Sequence, residues 1–158
     1  MTSTTTTRAK TGKAAGSREA VIAEFWEFSA HRFHLNEAER LVQIKEGFPA
    51  RLFQGVRVTF ALHERSLEGL LNASISTLER RVRQQQPLDS VASERLDRIA
   101  AVSRLAETVF ESRELAAQWM SKPNKALGDE APIMLCETEI GARQVRRVLH
   151  ALEWGGAA

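Results

Sequence analysis

The amino-acid sequence predicts an all-α fold, in which a helical domain containing a helix-turn-helix is followed by a small second helical domain. Over most of the 158 residues, apolar side chains recur at the i, i+4 and i+7 spacing that places them on one face of a helix. No segment alternates apolar and polar residues for long enough to predict a strand. Residues that cap or end helices separate the periodic segments, so we expect a series of helices around a shared core.

The N-terminal segment lacks large apolar side chains. Residues 1–16 are rich in Thr, Ala, Gly and Lys, and we expect a disordered tail because nothing there favours ordering. The first helix is predicted over 17–33, where Val21, Phe25 and Phe28 recur at helical spacing. Their shared face is expected to enter the core.

Local signals mark the second and third helices. Asn36 followed by Glu39 has the pattern of a capping box, and Gly47 predicts the end of the second helix. A third helix is predicted over 50–62, directly after Pro49, because its apolar residues keep the helical period.

The second half of the chain predicts one long helix and two shorter ones. Residues 88–122 contain neither Gly nor Pro, and Ser112 can cap a further helix after a break. Two prolines and a glycine predict a tight loop over 122–137 with at most one turn of helix. Thr138 is predicted to cap the last helix, which ends at Gly155 and Gly156. Its predicted buried face consists of Gly141, Val145, Val148 and Leu152.

Charge and composition exclude several classes of protein. There are 22 Lys and Arg against 20 Asp and Glu, and 43% of residues are hydrophobic, as in an ordinary globular chain. The longest apolar runs are too short to cross a bilayer and no secretory signal follows Met1, so we expect a cytoplasmic protein without a membrane partner. The single cysteine, Cys136, permits no internal disulfide and fits a reducing compartment.

Charge is distributed unevenly along the chain. Residues 1–87 have a net charge of +4, and residues 88–158 have a net charge of −2. The first part therefore suits a polyanionic partner. A difference of this size is also typical of solvated surface, so both interpretations stay open.

Signals for catalysis or metal binding are scarce. His31 and His34 lie three residues apart, but a metal site requires three or four ligands and no Cys or carboxylate cluster accompanies them. We interpret both as surface histidines. Neither a Gly-rich phosphate loop nor a nucleophile elbow occurs. The sequence predicts no cofactor and no enzyme, unless the fold brings histidines, Cys136 and carboxylates into one pocket.

The segment 63–86 has the spacing of apolar residues, the turn residue and the capping residue of a helix-turn-helix. A short apolar stripe ends at Leu71, and Asn72 tolerates the left-handed backbone of a tight turn. Ser74 can then cap the helix that follows. In this motif the second helix presents its N-terminal half to the major groove of DNA.

The outward face of that second helix suits DNA. If Leu78 and Val82 point inward, the polar and basic residues between them point outward. Arginine can form paired hydrogen bonds to guanine, and the N–H groups at a helix start attract phosphate. The candidate DNA-binding residues are Ser74, Ser76, Thr77, Glu79, Arg80, Arg81 and Arg83. Glu68 and Ala73 depart from the usual residue sizes of the motif, so a role in dimerisation alone is the alternative.

The last third of the chain carries a more specific pattern. The pattern consists of the runs Ala117-Gln118-Trp119-Met120, Lys122-Pro123-Asn124, Leu127-Gly128, Ala131-Pro132, Thr138-Glu139-Ile140-Gly141 and Leu152-Glu153-Trp154-Gly155. In these runs the chain resembles the C-terminal toxin-binding domain of Xre-type antitoxins, the partners of RES-domain toxins in bacterial type II toxin–antitoxin pairs. The resemblance extends from about Phe48 to Gly155, and the predicted helix-turn-helix lies where that family carries its Xre-like domain.

The resemblance implies a function. A member of this family would neutralise a RES-domain toxin, which looks like an ADP-ribosyltransferase and is associated with NAD degradation, by obstructing its active site. It would be a non-catalytic protein of the bacterial cytoplasm, a homodimer within the toxin–antitoxin complex, and a repressor of its own operon through operator DNA. The alternative is a stand-alone helix-turn-helix transcription regulator whose C-terminal half dimerises or senses a ligand.

The same resemblance divides the chain and suggests contacts. After the tail over 1–16, a helical region over 17–111 would hold the helix-turn-helix, and a toxin-binding domain would occupy 112–158. The candidate toxin-binding residues are Lys122, Asn124, Lys125, Glu139, Arg143, Arg146, Arg147, Glu153 and Trp154. Trp154 has little chain after it to cover it, so it either anchors a partner or folds back on its own helices.

Overall fold

The structure is a computed structural model that describes the backbone of residues 5–155 and the side chains of residues 16–155. This part of the chain is helical and contains no sheet, which confirms the predicted all-α class. The helices are α1 (Thr5–Arg32), α2 (Glu37–Glu46), α3 (Leu52–Thr59), α4 (Glu64–Leu71), α5 (Ile75–Arg83), α6 (Ser90–Phe110), α7 (Arg113–Ser121), α8 (Pro132–Leu135) and α9 (Glu139–Glu153). Within the described residues, none of these helices is long and apolar enough to cross a membrane.

The first helix is longer than the sequence predicts. It begins at Thr5 rather than near Ser17, so it enters the segment for which a disordered tail was expected. Once a helix exists, each added residue gains a hydrogen bond without a new nucleation cost, and Ala and Lys favour that extension. Two predicted features lie partly outside the described residues. These are residues 1–4 of the predicted tail and Gly156, at the predicted end of the last helix.

Local capping explains where most of the other helices start. Asn36 accepts a hydrogen bond from the backbone N–H of Glu39, whose carboxylate accepts one from the N–H of Asn36, so the predicted capping box is confirmed. Ser112 and Thr138 cap α7 and α9 in the same way as predicted, through their hydroxyl oxygens. These polar residues fix the helix boundaries independently of the core.

The loop over 122–137 contains more helix than the sequence predicts. A single 3₁₀ turn covers Lys125–Leu127, as expected, but α8 adds a second helical turn. Pro132 occupies the first position of α8, where proline has no hydrogen bond to lose and its fixed φ angle suits a helix. The sequence predicts a loop at Pro132, whereas in the structure this proline starts a helix.

The long helix α6 lies at the centre of the molecule. It packs against α1, α2 and α4, and it also packs against α7 and α9. Phe25 and Trp26 of α1 are fully buried, and the Phe25 ring meets the Phe60 ring edge to face at 5.5 Å between centroids. One continuous apolar core therefore connects the helix-turn-helix segment with the C-terminal helices.

A buried ion-pair cluster, which sequence patterns do not predict, joins α1, α2 and α6. Asp97 accepts hydrogen bonds from Arg32 Nε at 2.8 Å and from Arg40 Nη2 at 2.6 Å. The Arg32 side chain is only 2% exposed and lies against the Phe48 ring, 4.6 Å from its centroid. The hydrogen bond to Asp97 raises the pKa of Arg40 above its ordinary value. The cluster fixes the end of α1 against α6.

Candidate functional site: the helix-turn-helix and the α9 face

The helix-turn-helix is formed by α4, a three-residue turn and α5, as the sequence predicts. Asn72 adopts the left-handed conformation, with φ at 53° and ψ at 44°. Ser74 Oγ accepts the N–H of Thr77 at 3.1 Å and caps α5. Leu78 is buried beneath the helix, which orients the opposite side of α5 toward solvent.

The two unusual residues of the motif have defined places in it. Glu68 Oε2 accepts the backbone N–H of Ile75 at 3.1 Å, so this carboxylate holds the turn and satisfies an unpaired donor at the start of α5. Ala73 is half-buried and packs against the core. Neither residue prevents the two helices from adopting the helix-turn-helix arrangement.

The predicted DNA-binding residues divide into two groups. Those whose side chains are exposed on one face of α5 are Ser76, Glu79, Arg80 and Arg83. Arg80 and Arg83 form no ion pair with any described residue, so both charges are available to a partner. The other three serve the fold: Ser74 and Thr77 form the cap, and Arg81 Nη1 donates to the carbonyl oxygen of Pro87 at 2.7 Å.

The C-terminal helices are held in place by backbone contacts at α8 and α9. The added Cβ of any other residue at Gly141 would lie 2.0 Å from the carbonyl oxygen of Leu135, so only glycine fits this crossing. Arg98 of α6 donates to the carbonyl oxygens of Cys136 and Glu137 at 2.9 and 2.8 Å. These contacts present α9 in one fixed orientation.

The buried side of α9 differs slightly from the prediction. Gly141 and Val145 are buried as expected, but Val148 and Leu152 are only half-buried. The residues that complete the inner surface are Ala142 and Leu149. The helix is therefore rotated a little from the predicted stripe, which determines which residues reach solvent.

A continuous row of exposed residues runs along the other side of α9. We call this row the α9 face, and it consists of Ile140, Arg143, Gln144, Arg147, Ala151 and Trp154. Its two ends are apolar, since the side chain of Ile140 is 70% exposed and that of Trp154 is 85% exposed. Between them, Arg143 and Arg147 form no ion pair with any described residue. The face combines exposed apolar surface with unpaired positive charge.

Not every predicted toxin-binding residue lies free on this surface. Arg143, Arg147 and Trp154 belong to the α9 face, and Trp154 does not fold back on its own helices. Glu139 instead pairs with Arg146 and lies 3.6 Å from Arg98. The predicted residues that remain exposed elsewhere are Lys122, Lys125 and Glu153.

Asn124 has a structural role in the loop. Its side-chain oxygen accepts the N–H of Ala126 at 2.9 Å, and its backbone N–H donates to the carbonyl oxygen of Glu130 at 3.1 Å. Sequence reasoning missed Ile140, although the helical period from the Thr138 cap places this residue on the polar side of α9.

The described residues contain no group of three or more potential metal ligands. Cys136 is fully buried, and burial raises the pKa of its thiol to about 12. A thiol in this environment stays protonated and is a poor nucleophile. His31 and His34 are both exposed, in agreement with their interpretation as surface histidines.

Comparison with known proteins identifies both helical parts. The antitoxin Xre-like helix-turn-helix domain matches residues 39–101, and the antitoxin Xre/MbcA/ParS C-terminal toxin-binding domain matches residues 105–155. The first match contains α4 and α5, and the second contains α7, α8 and α9. The junction between the two matches falls within α6, the helix that packs against both parts.

Two curated relatives agree with these matches. The chain is 35% identical over 75 residues to a Pseudomonas putida protein described as antitoxin Xre, a match covering 48% of this chain and 47% of that relative, so the chain spans less than half of its length. It is 26% identical over 135 residues to a Sphingobium protein described as a Prs ADP-ribosylating antitoxin, covering 80% of this chain and 85% of that protein. The chain belongs to the Xre family of antitoxins, with an Xre-like helix-turn-helix domain followed by an Xre/MbcA/ParS C-terminal toxin-binding domain.

Proposed function

We propose that this antitoxin binds and neutralises a RES-domain toxin that degrades NAD, and that the α9 face obstructs the active site of that toxin. The observation that carries the proposal is the exposure of Trp154 and Ile140 on a helix of the toxin-binding domain, with Arg143 and Arg147 unpaired between them. Aromatic and arginine side chains dominate the binding energy of protein interfaces. A rigid helix that presents them binds without a large ordering cost.

The chemistry of the proposed toxin follows from the resemblance to antitoxins of RES-domain toxins, which look like ADP-ribosyltransferases. The Sphingobium relative is itself described as a Prs ADP-ribosylating antitoxin, which supports a toxin that handles ADP-ribose. NAD hydrolysis and ADP-ribosyl transfer both begin with cleavage at the nicotinamide of NAD. The antitoxin itself would be non-catalytic, in keeping with the protonated, buried thiol of Cys136.

The positive charge of the α9 face calls for an acidic surface on the partner. Carboxylates around the mouth of the toxin's active site would pair with Arg143 and Arg147. Because both arginines are exposed and form no ion pair with a described residue, they lose no internal partner on binding. The apolar ends of the face, Ile140 and Trp154, then supply the apolar surface that becomes buried when the toxin binds.

The test of this proposal is NAD loss catalysed by the neighbouring gene product. Purified chain is titrated into the RES-domain toxin, and wild type is expected to stop NAD loss at a fixed ratio of the two proteins. The double variant Arg143→Glu, Arg147→Glu is expected to require at least tenfold more protein, since it reverses both charges without touching the core. Arg80→Glu with Arg83→Glu, on α5, is the matched control with the same change of charge. If the two double variants inhibit equally, the α9 face is not the inhibitory surface.

We also propose that the chain represses its own operon as a homodimer, with α5 in the major groove. The exposed Arg80 and Arg83 support this role, because their charges are unpaired within the described residues and lie on the outward side of the second helix. A two-fold dimer would place two such helices on the two half-sites of an operator. The proposed division of labour is residues 17–111 for DNA and 112–158 for the toxin, with α1 extending before residue 17 to Thr5.

A gel-shift titration on the upstream promoter region tests DNA binding. The variant Arg80→Ala, Arg83→Ala is expected to weaken binding and to reduce its salt dependence by about two phosphate contacts. Arg143→Ala with Arg147→Ala serves as the control for overall charge. Unchanged affinity of the α5 variant would reject the DNA contact and leave dimerisation as the role of the motif. A stand-alone regulator would instead bind the promoter and leave the toxin active.

A further inference from the structure

A groove separates the C-terminal end of α1 from the C-terminal end of α9. Phe33, which directly follows α1, lines one wall, Arg104 of α6 lies at the base, and His150 and Glu153 of α9 line the other wall. We call it the α1–α9 groove. Phe33 lies outside both family matches, which cover residues 39–101 and 105–155. The groove therefore adds a surface that the toxin-binding domain alone does not provide.

One large aromatic residue stands exposed in this groove, and a second follows one of its lining residues. Phe33, which lines the groove, is 70% exposed, and Trp154, which directly follows Glu153 of the opposite wall but does not itself line the groove, is 85% exposed. Aromatic residues of this size are mostly buried in a folded chain, and exposed ones are typical of a binding surface. Because Trp154 also ends the α9 face, the groove continues that face toward α1.

Three arginines line the groove, and each carboxylate that pairs with them is shared between two arginines. Arg32 and Arg40 share Asp97, and Arg104 pairs at 3.1 Å with Glu107, which also pairs with Arg113. The guanidinium carbon of Arg104 lies 5.6 Å from the centroid of the Phe33 ring, so a cation backs the exposed aromatic residue. A ligand that fits this surface carries an apolar side chain beside an acidic one.

We propose that the α1–α9 groove binds an acidic, apolar segment of the same toxin, so that the toxin contacts Phe33 as well as the α9 face. This inference rests on the proposed function and deepens it, because it moves part of the toxin interface onto α1. The occupant is the toxin rather than a second antitoxin or DNA, since the groove is continuous with the α9 face and lies along α6 away from α5.

The experiment measures the affinity of the full-length chain for the purified RES-domain toxin encoded beside it, by calorimetry. Phe33→Ala is expected to weaken binding at least tenfold, because it removes a large exposed anchor. Val91→Ala is the matched control: Val91 is also exposed and apolar, but it lies about 20 Å from Arg104 along α6. Arg104→Gln is expected to weaken binding severalfold and to reduce its salt dependence, while Glu107 keeps Arg113 as a partner at 3.0 Å. Circular dichroism confirms that each variant is folded.

The outcomes separate this inference from the function on which it rests. If Trp154→Ala weakens toxin binding and Phe33→Ala behaves like Val91→Ala, the toxin interface ends at α9 and the groove proposal is wrong. If Phe33→Ala changes the oligomeric state of the free antitoxin but not its affinity for toxin, the groove joins two antitoxin copies and the proposal is also wrong. If the wild-type chain does not bind the toxin at all, the proposed function fails first.

Discussion

Replacing Gly141 with alanine tests how the toxin-binding domain is assembled. Gly141 lies in the first turn of α9, where the helix crosses α8 so closely that no Cβ fits. The added methyl group would lie 2.0 Å from the carbonyl oxygen of Leu135 and 2.9 Å from its carbonyl carbon. Both atoms belong to the backbone, so no side-chain rotation relieves the contact.

The size of the effect follows from two opposing contributions. Ordinary van der Waals contact begins at 3.4 Å, so the α8–α9 turn would have to open by about 1.4 Å. Overpacking of this kind destabilises a protein by about 1–3 kcal/mol, and by more when backbone must move. Alanine in place of glycine within a helix favours folding by about 1 kcal/mol. Because backbone must move here, the cost of overpacking lies at the upper end of that range, about 3 kcal/mol or more, and we expect Gly141→Ala to lower the free energy of unfolding by about 2 kcal/mol or more, which lowers Tm by several degrees.

Urea unfolding followed by circular dichroism measures this change, and Gly69→Ala provides the control. Gly69 lies within α4, and a Cβ added there meets nothing within 4 Å. The control substitution is therefore expected to stabilise the protein by about 0.5–1 kcal/mol. If Gly141→Ala were as stable as Gly69→Ala, the close crossing of α8 and α9 would be incorrect.

Four further predictions concern the core and the caps. Asp97→Ala is expected to cost about 3–5 kcal/mol in urea unfolding, because Arg32 would remain buried without its carboxylate; a cost below 1 kcal/mol would contradict the buried cluster. Ser74→Ala should lose about 1 kcal/mol through the cap of α5, and a neutral result would contradict that cap. The thiol of Cys136, with a pKa near 12, should resist iodoacetamide at pH 8 until the protein unfolds, and rapid alkylation of native protein would refute its burial. The Cys136 thiol resists ionisation in the native protein but not in the unfolded chain, where its pKa is about 9. The free energy of unfolding is therefore expected to fall as the pH rises from 9 toward 12, and to fall less steeply for Cys136→Ala.

The elements that could be predicted from the sequence are those set by local interactions. The capping box at Asn36, the turn at Asn72 and the cap at Thr138 each depend on residues within a few positions, and the structure confirms them. The start of α1 differs, since helix propagation through Ala and Lys is not visible in an apolar pattern. The sequence predicts a loop around Pro132, because proline disrupts a helix everywhere except in its first turn, whereas Pro132 lies in the first turn of α8.

Long-range partners could not be predicted in the same way. Asp97 and Arg32 are separated by 65 positions, and their pairing depends on how α1 packs against α6. The same limit applies to the candidate site. The exposure of Arg147 and Trp154 follows from the period of α9, whereas the pairing of Arg146 with Glu139 and the position of Phe33 at the mouth of a groove require the fold. Sequence patterns identified the helix that carries the site but not its full extent.

Hydroxyl-radical footprinting of the chain, free and bound to the proposed RES-domain toxin, measures the proposed interface most directly. Trp154 and Ile140 are highly exposed in the free chain, so both should oxidise readily. The proposal predicts that both side chains become protected in the complex, while the exposed Leu41 and Val91 keep their rates of oxidation. A stable complex in which Trp154 and Ile140 oxidise as fast as in the free chain would contradict the assignment of the α9 face as the surface that binds the toxin.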